Sequence, residues 1–173
     1  MPTDTDTRTP SLAAWSQLLR GHAATVRALN AELIRDHRLT INDYEALLVL
    51  ARAEGGRLRR TDLVGNLKLT ASGITRLLEG LEAAGLVGRE HCPADGRVTY
   101  AVLTPAGRAK LEESSRSHLA AIDELFRDRF SREELETLAD LLARLPGAGD
   151  GVECTPPGSS PEEPPNMRRG ATA

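Results

Sequence analysis

The sequence predicts a mainly α-helical domain interrupted by one short β-hairpin, and three observations lead there. Apolar residues recur at steps of three and four in long segments, several of them opened by a Ser or Thr suited to cap a helix. Leu, Ala and Arg dominate, while the aromatic residues are only two Phe, two Tyr and one Trp, a composition that favours helices packed by aliphatic side chains over a β-sandwich. The helical period breaks once, over residues 86–103, where two short runs take on a strand-like pattern. At 173 residues the chain holds one domain of ordinary size plus tails.

Taken in order, residues 1–10 are Thr, Asp and Pro without periodicity and read as a disordered tail, with Pro10 as a stop and Ser11 as a helix N-cap. Leu12, Trp15, Leu19, His22, Val26, Leu29 and Leu33 then form a heptad-like seam on one long helix. Thr40 with Asp43 is a capping-box variant opening a second helix, whose buried face is expected to be Tyr44, Leu47, Leu48, Leu50 and Ala51. Gly55 and Gly56 end it. Residues 61–67 form a short third helix, and after a turn at Lys68 and Leu69, Thr70 caps a fourth that closes at Gly85. Residues 86–91 and 97–103 form the hairpin, joined by a loop at 92–96. Thr104 before Pro105 opens a fifth helix with Leu111, His118, Leu119, Ile122, Leu125 and Phe126 inward. Ser131 and Glu134 make a full capping box for a sixth helix, striped by Leu135, Leu138, Leu141, Leu142 and Leu145 and stopped by Pro146. Residues 147–173 carry five Pro and five Gly with almost no large apolar side chains, which reads as a second disordered tail. The folded domain is therefore expected at 11–146.

The formal net charge is −3, so the chain as a whole is no general polyanion binder. Distribution carries more information: between Arg52 and Arg108 nine basic residues stand against six acidic ones, leaving the centre basic and the flanks acidic. Cys92 and Cys154 are far apart in sequence and define neither a disulfide framework nor a metal spacing. The N-terminal segment lacks an apolar signal core, and no apolar run approaches the roughly 18 residues of a membrane span. A soluble, cytoplasmic protein without cofactor or metal is the expectation. No nucleophile elbow, phosphate loop, dinucleotide fingerprint or zinc-protease motif occurs, so no enzymatic activity is expected.

Helix, helix, short helix, helix, hairpin and two further helices is the order of a winged helix-turn-helix domain, with its DNA-binding core at about 57–104. The fourth helix opens with Thr70, Ser72, Gly73, Thr75 and Arg76 on one surface, small and polar enough for the backbone to approach a major groove. Ile74, Leu77, Leu78 and Leu81 form its anchoring face. At the hairpin, Arg97 can enter an adjacent minor groove, and Arg89 adds a cation at its base.

Residues 70–111, TASGITRLLEGLEAAGLVGREHCPADGRVTYAVLTPAGRAKL, resemble the core of the MarR family of bacterial regulators. The matching pieces are S-x-x-T-R at Ser72, Thr75 and Arg76, then L-E-x-x-G-L-V-x-R ending at Arg89, D-x-R at Asp95 and Arg97, and L-T-x-x-G at Leu103, Thr104 and Gly107. The resemblance implies a dimer held by the first, fifth and sixth helices, with Ser72, Thr75 and Arg76 on the major groove and its phosphates, and Arg97 on the wing oriented by Asp95. The family often has D-R-R at the wing, and Gly96 here replaces the middle Arg. A sequence-specific repressor on a pseudo-palindromic operator follows from the resemblance. The alternative, motivated by the missing wing Arg, is a winged-helix dimerisation or adaptor module acting through protein contacts.

Trp15, Leu19, His22 and His118 are candidates for a polar-tipped aromatic pocket that takes a small aromatic, phenolic or acidic effector, where the family tends to bind such ligands. The competing reading makes the histidines satisfied interfacial residues. A first-helix Trp is also used by the family's urate-responsive branch. Zinc at His22 and His118 lacks further ligands. Redox sensing by Cys92 is disfavoured: Glu90 and Asp95 oppose thiolate formation, and the family's peroxide-sensing branch carries its reactive Cys in the first helix, where this chain has none.

Overall fold

The structure, a computed structural model, describes residues 9–67, 69–92 and 98–146. The sequence tails at 1–8 and 147–173, Lys68, and the wing residues Asp95, Gly96 and Arg97 lie outside the described residues.

Helix α1 spans Pro10–His37, 28 residues and so about 42 Å long. It starts one residue before the expected cap at Ser11, because a proline at the first helical position loses only an N–H that would be unsatisfied anyway. Helix α2, Ile41–Arg52, opens on the expected capping box: Thr40 Oγ1 accepts from the Asp43 N–H, and the Thr40 N–H donates to Asp43 at 2.8 Å. Asn30 of α1 accepts the Ile41 N–H at 2.9 Å, so α1 helps to start α2. The expected face of α2 is buried, with Ala51 only partly so, and Ala46 and Val49 join it. This helix is the centre of the core.

A short 3-10 turn at Glu54–Gly56 leads into a strand absent from the sequence expectation, β1 at Arg57–Arg59. Three residues are too few for alternation to be legible, and the strand exists because β3 lies beside it. Helix α3 follows at once, Arg60–Leu67, and α4 at Ala71–Ala83, capped by Thr70. Strands β2 (Val87–His91) and β3 (Thr99–Leu103) form the wing. The sheet is antiparallel in the order β1-β3-β2, with Arg59 opposite Tyr100 and Glu90 opposite the same Tyr100. The wing is thus a three-stranded sheet rather than an isolated hairpin. Leu58, Ala101, Leu103 and Val87 pack on the core side.

Two glycines fix how α4, the wing and α5 meet. The exit of α4 is a Schellman turn: the Leu86 N–H reaches the Leu81 carbonyl and the Gly85 N–H that of Glu82, with Gly85 at φ +71°, a conformation glycine adopts without Cβ strain. Helix α5, Pro105–Arg127, is capped by Thr104, which accepts from the Gly107 N–H at 2.9 Å. At Gly107 a Cβ would collide with the Leu86 carbonyl oxygen and approach Leu103 at 2.8 Å.

Helix α6, Arg132–Leu142, has the expected Ser131–Glu134 capping box but buries no residue. Its Leu141 and Leu142 are exposed, as are Leu145 just past its end and Leu12, Trp15 and Leu19 at the far end of α1. No helix among the described residues is long and apolar enough to cross a membrane.

Candidate nucleic-acid interface

Helix α4 is divided lengthwise. Ile74, Leu78 and Leu81 are buried against α2, α3 and the wing, while Ser72, Thr75, Arg76 and Glu79 are exposed. At its start Thr70 Oγ1 accepts the Gly73 N–H at 3.1 Å and lies 3.2 Å from Ser72 Oγ. Thr75 Oγ1 donates to the Ala71 carbonyl at 3.0 Å. These bonds hold small hydroxyls close to the helix at its exposed first turn. The first turn also presents the positive end of the helix dipole. Arg76 is exposed and makes no ion pair among the described residues.

Arg89 is placed differently. Its guanidinium pairs with Glu82 of α4 at 2.8 Å, making it a strut that ties β2 to the recognition helix. On the outer face of the sheet, Arg57 lies over the Tyr100 ring, 5.1 Å from its centroid, and reaches Glu90 at 3.3 Å. Beside it, Arg59 donates to the Tyr100 hydroxyl oxygen, which holds the guanidinium even more firmly as the cation. These wing-base cations were missed because β1 itself was illegible. The tip residues Asp95 and Arg97 lie outside the described residues. Cys92 is half-buried, its N–H bonded to the Val98 carbonyl at 3.0 Å.

The MarR family model matches residues 38–98. Among solved structures, AbsC, a MarR family transcriptional regulator from Streptomyces coelicolor, is 32% identical, covers 82% of this chain and 93% of its own, and superposes with a TM-score of 0.69. This chain belongs to the MarR family. Sco3205, a MarR family regulator from the same organism solved in complex with DNA, is 28% identical with a TM-score of 0.70, over 79% of this chain and 87% of its own. The HTH-type transcriptional repressor YetL of Bacillus subtilis is 33% identical over 111 residues, 62% of this chain and 66% of YetL. The chain thus spans just under two thirds of that relative's length.

In this MarR-family chain the four residues expected to form an effector pocket do not come together. Trp15 and Leu19 are 57% and 49% exposed and His22 is also exposed, since the half of α1 that carries them is left mostly uncovered among the described residues. His118 is 2% exposed. It packs against Tyr44, ring centroids 4.7 Å apart, with Nδ1 3.6 Å from Glu32 Oε2. Glu32 lies ten residues beyond His22 on α1, about 15 Å along the axis. Burial pushes the His118 imidazole below its ordinary value, against the opposing pull of Glu32.

A polar cluster that the sequence reading did not single out surrounds this pair. Tyr44 and Ser115 hydroxyls are 3.2 Å apart. His37 Nε2 lies 2.6 Å from Ser117 Oγ, and Ser117 donates to the Ser114 carbonyl. One hydroxyl proton cannot serve both, so the network assigns the shared proton to His37 Nε2, leaving His37 Nδ1 facing Glu113 Oε1 at 3.6 Å. The signal available in sequence was a spacing: Glu32 and His37 are five apart, and so are Glu113 and His118, in the same acid-to-imidazole order. On antiparallel helices that order pairs each acid with the other helix's histidine.

Proposed function

We propose that this chain is a sequence-specific DNA-binding repressor, acting in the cytoplasm as a homodimer on a pseudo-palindromic operator. The observation that carries the reading is the division of α4: one face buried by Ile74, Leu78 and Leu81, the other offering Ser72, Thr75 and Arg76 beside an outward-facing helix start. Hydroxyls and an Arg in that setting suit phosphate and base-edge contacts. The DNA complex of the similar Sco3205 supports the same use of the fold. The exposed apolar seams of α1 and α6 supply the reason for two copies, since such patches are rarely left in water. Two recognition helices would then sit in successive major grooves, about 34 Å apart. A small aromatic or acidic effector that releases the operator would meet Trp15, Leu19 and His22 at the dimer seam, with His118 set apart from them.

Anisotropy titration of the full chain on the DNA upstream of its own gene tests the reading. Binding with a sequence preference and a steep loss of affinity with salt is expected. Affinity indifferent to both sequence and salt overturns it.

A further inference from the structure

Three buried side-chain atoms have no hydrogen-bond partner among the described residues: Glu32 Oε2, His37 Nδ1 and His118 Nδ1. All three lie where α1 crosses α5: Glu32 Oε2 faces His118 Nδ1, and His37 Nδ1 faces the exposed Glu113, each at 3.6 Å. Unsatisfied polar atoms in the interior are costly and need a reason. A separation of 3.6 Å is beyond a good hydrogen bond, so neither contact is the tight ion pair that would fix the protonation state.

We propose that the crossing of α1 and α5 is an acid-released joint, in which proton uptake at His118 loosens the packing of the two helices and thereby weakens operator binding. The second half rests on the DNA-reading function proposed above. The groups that face His118 are Glu32 from α1, the Tyr44 ring from α2 and Ser115 one turn back on α5; His37 adds its own charge when protonated, with Glu113 and the Lys110 paired to it beyond. Burial and the charge of His37 both oppose a cation at His118, and Glu32 alone favours it. The sign follows from that balance. A buried imidazole that binds a proton less well than it does in the unfolded chain contributes stability at high pH and loses it as the pH falls below the ordinary value of 6.5. Of the remaining described histidines, His37 belongs to the same crossing, whereas His22 and His91 are exposed.

The test follows the thermal midpoint and the operator affinity of the full chain between pH 8 and pH 5, with His118→Phe and Glu32→Gln beside the wild type. The wild-type midpoint should fall through the acid half of that range, and affinity should weaken severalfold even though the general protonation of surface groups adds positive charge that favours DNA. His118→Phe keeps a ring against Tyr44 and has no proton to gain, so its profile should flatten. Glu32→Gln removes the one favourable charge, so its profile should steepen. Where His118→Phe does not fold, an NMR titration of the His118 ring in the wild type decides: a midpoint below that of exposed His22 supports the joint, and an equal or higher one overturns it. Parallel thermal profiles for wild type and both variants also overturn it. If the thermal profiles behave as stated but no DNA is bound at any pH, the DNA-reading function falls and the joint stands. If DNA is bound with the same pH profile in all three proteins, the link from joint to operator is overturned.

Discussion

Gly107 has no room for one additional carbon atom. A methyl group there meets the Leu86 carbonyl, which is backbone and cannot rotate away, so Gly107→Ala should destabilise the fold by about 2 kcal/mol or more, read from urea denaturation. The L-T-x-x-G pattern was visible in sequence, but the reason for its glycine was not, since the contact joins residues 21 positions apart. Arg76 belongs to the same scale. It is exposed and unpaired among the described residues, so Arg76→Ala should leave the thermal midpoint unchanged, weaken operator binding and lower the salt slope by about one. Arg89 corrects a simpler reading of charge: its pairing with Glu82 makes it a brace of the wing, whatever it adds to the proposed DNA contact.

At the scale of elements, α4 was the most legible, because its cap, its apolar stripe and its glycine exit are all local signals. Gly80 within it is exposed and has nothing within 4 Å of an added Cβ. Gly80→Ala should therefore raise stability by about 0.5–1 kcal/mol, through helix propensity and a less disordered unfolded chain, again measurable in urea. Strand β1 was illegible for the opposite reason. Arg57, Leu58 and Arg59 carry no pattern of their own and are strand only by pairing with Val102, Ala101 and Tyr100. The acid–imidazole contacts failed to register in the same way, since helical periodicity does not say which helix faces which.

At the scale of the whole molecule, the seam read on α1 turned out to serve two surfaces. Its C-terminal part, Leu29 and Leu33, is buried within the chain, whereas Leu12, Trp15 and Leu19 are exposed together with Leu141, Leu142 and Leu145. A periodic stripe tells which face is apolar and not what covers it. The dimer proposed to cover this face should come apart when charge is placed in it: Leu19→Glu combined with Leu142→Glu should shift the mass seen by light scattering from two chains to one. Operator binding should fall with it, because one recognition helix loses the partner that doubles its contact area. A variant that stays dimeric would mean that another face makes the interface.

The close fit at Gly107 bears on how such a protein could be switched. Thr104 Oγ1 lies against both carbonyls closing α4, Gly85 at 2.8 Å and Leu86 at 3.0 Å, its single proton favouring the nearer Gly85, while its oxygen caps α5. The exit of the recognition helix and the root of the long C-terminal helix are therefore a single joinery without slack. In the dimer proposed above, a rotation of α5 would carry α4 with it as a lever arm, and the spacing between two recognition helices would then be set by events far from the DNA, with no flexing of the reading head required.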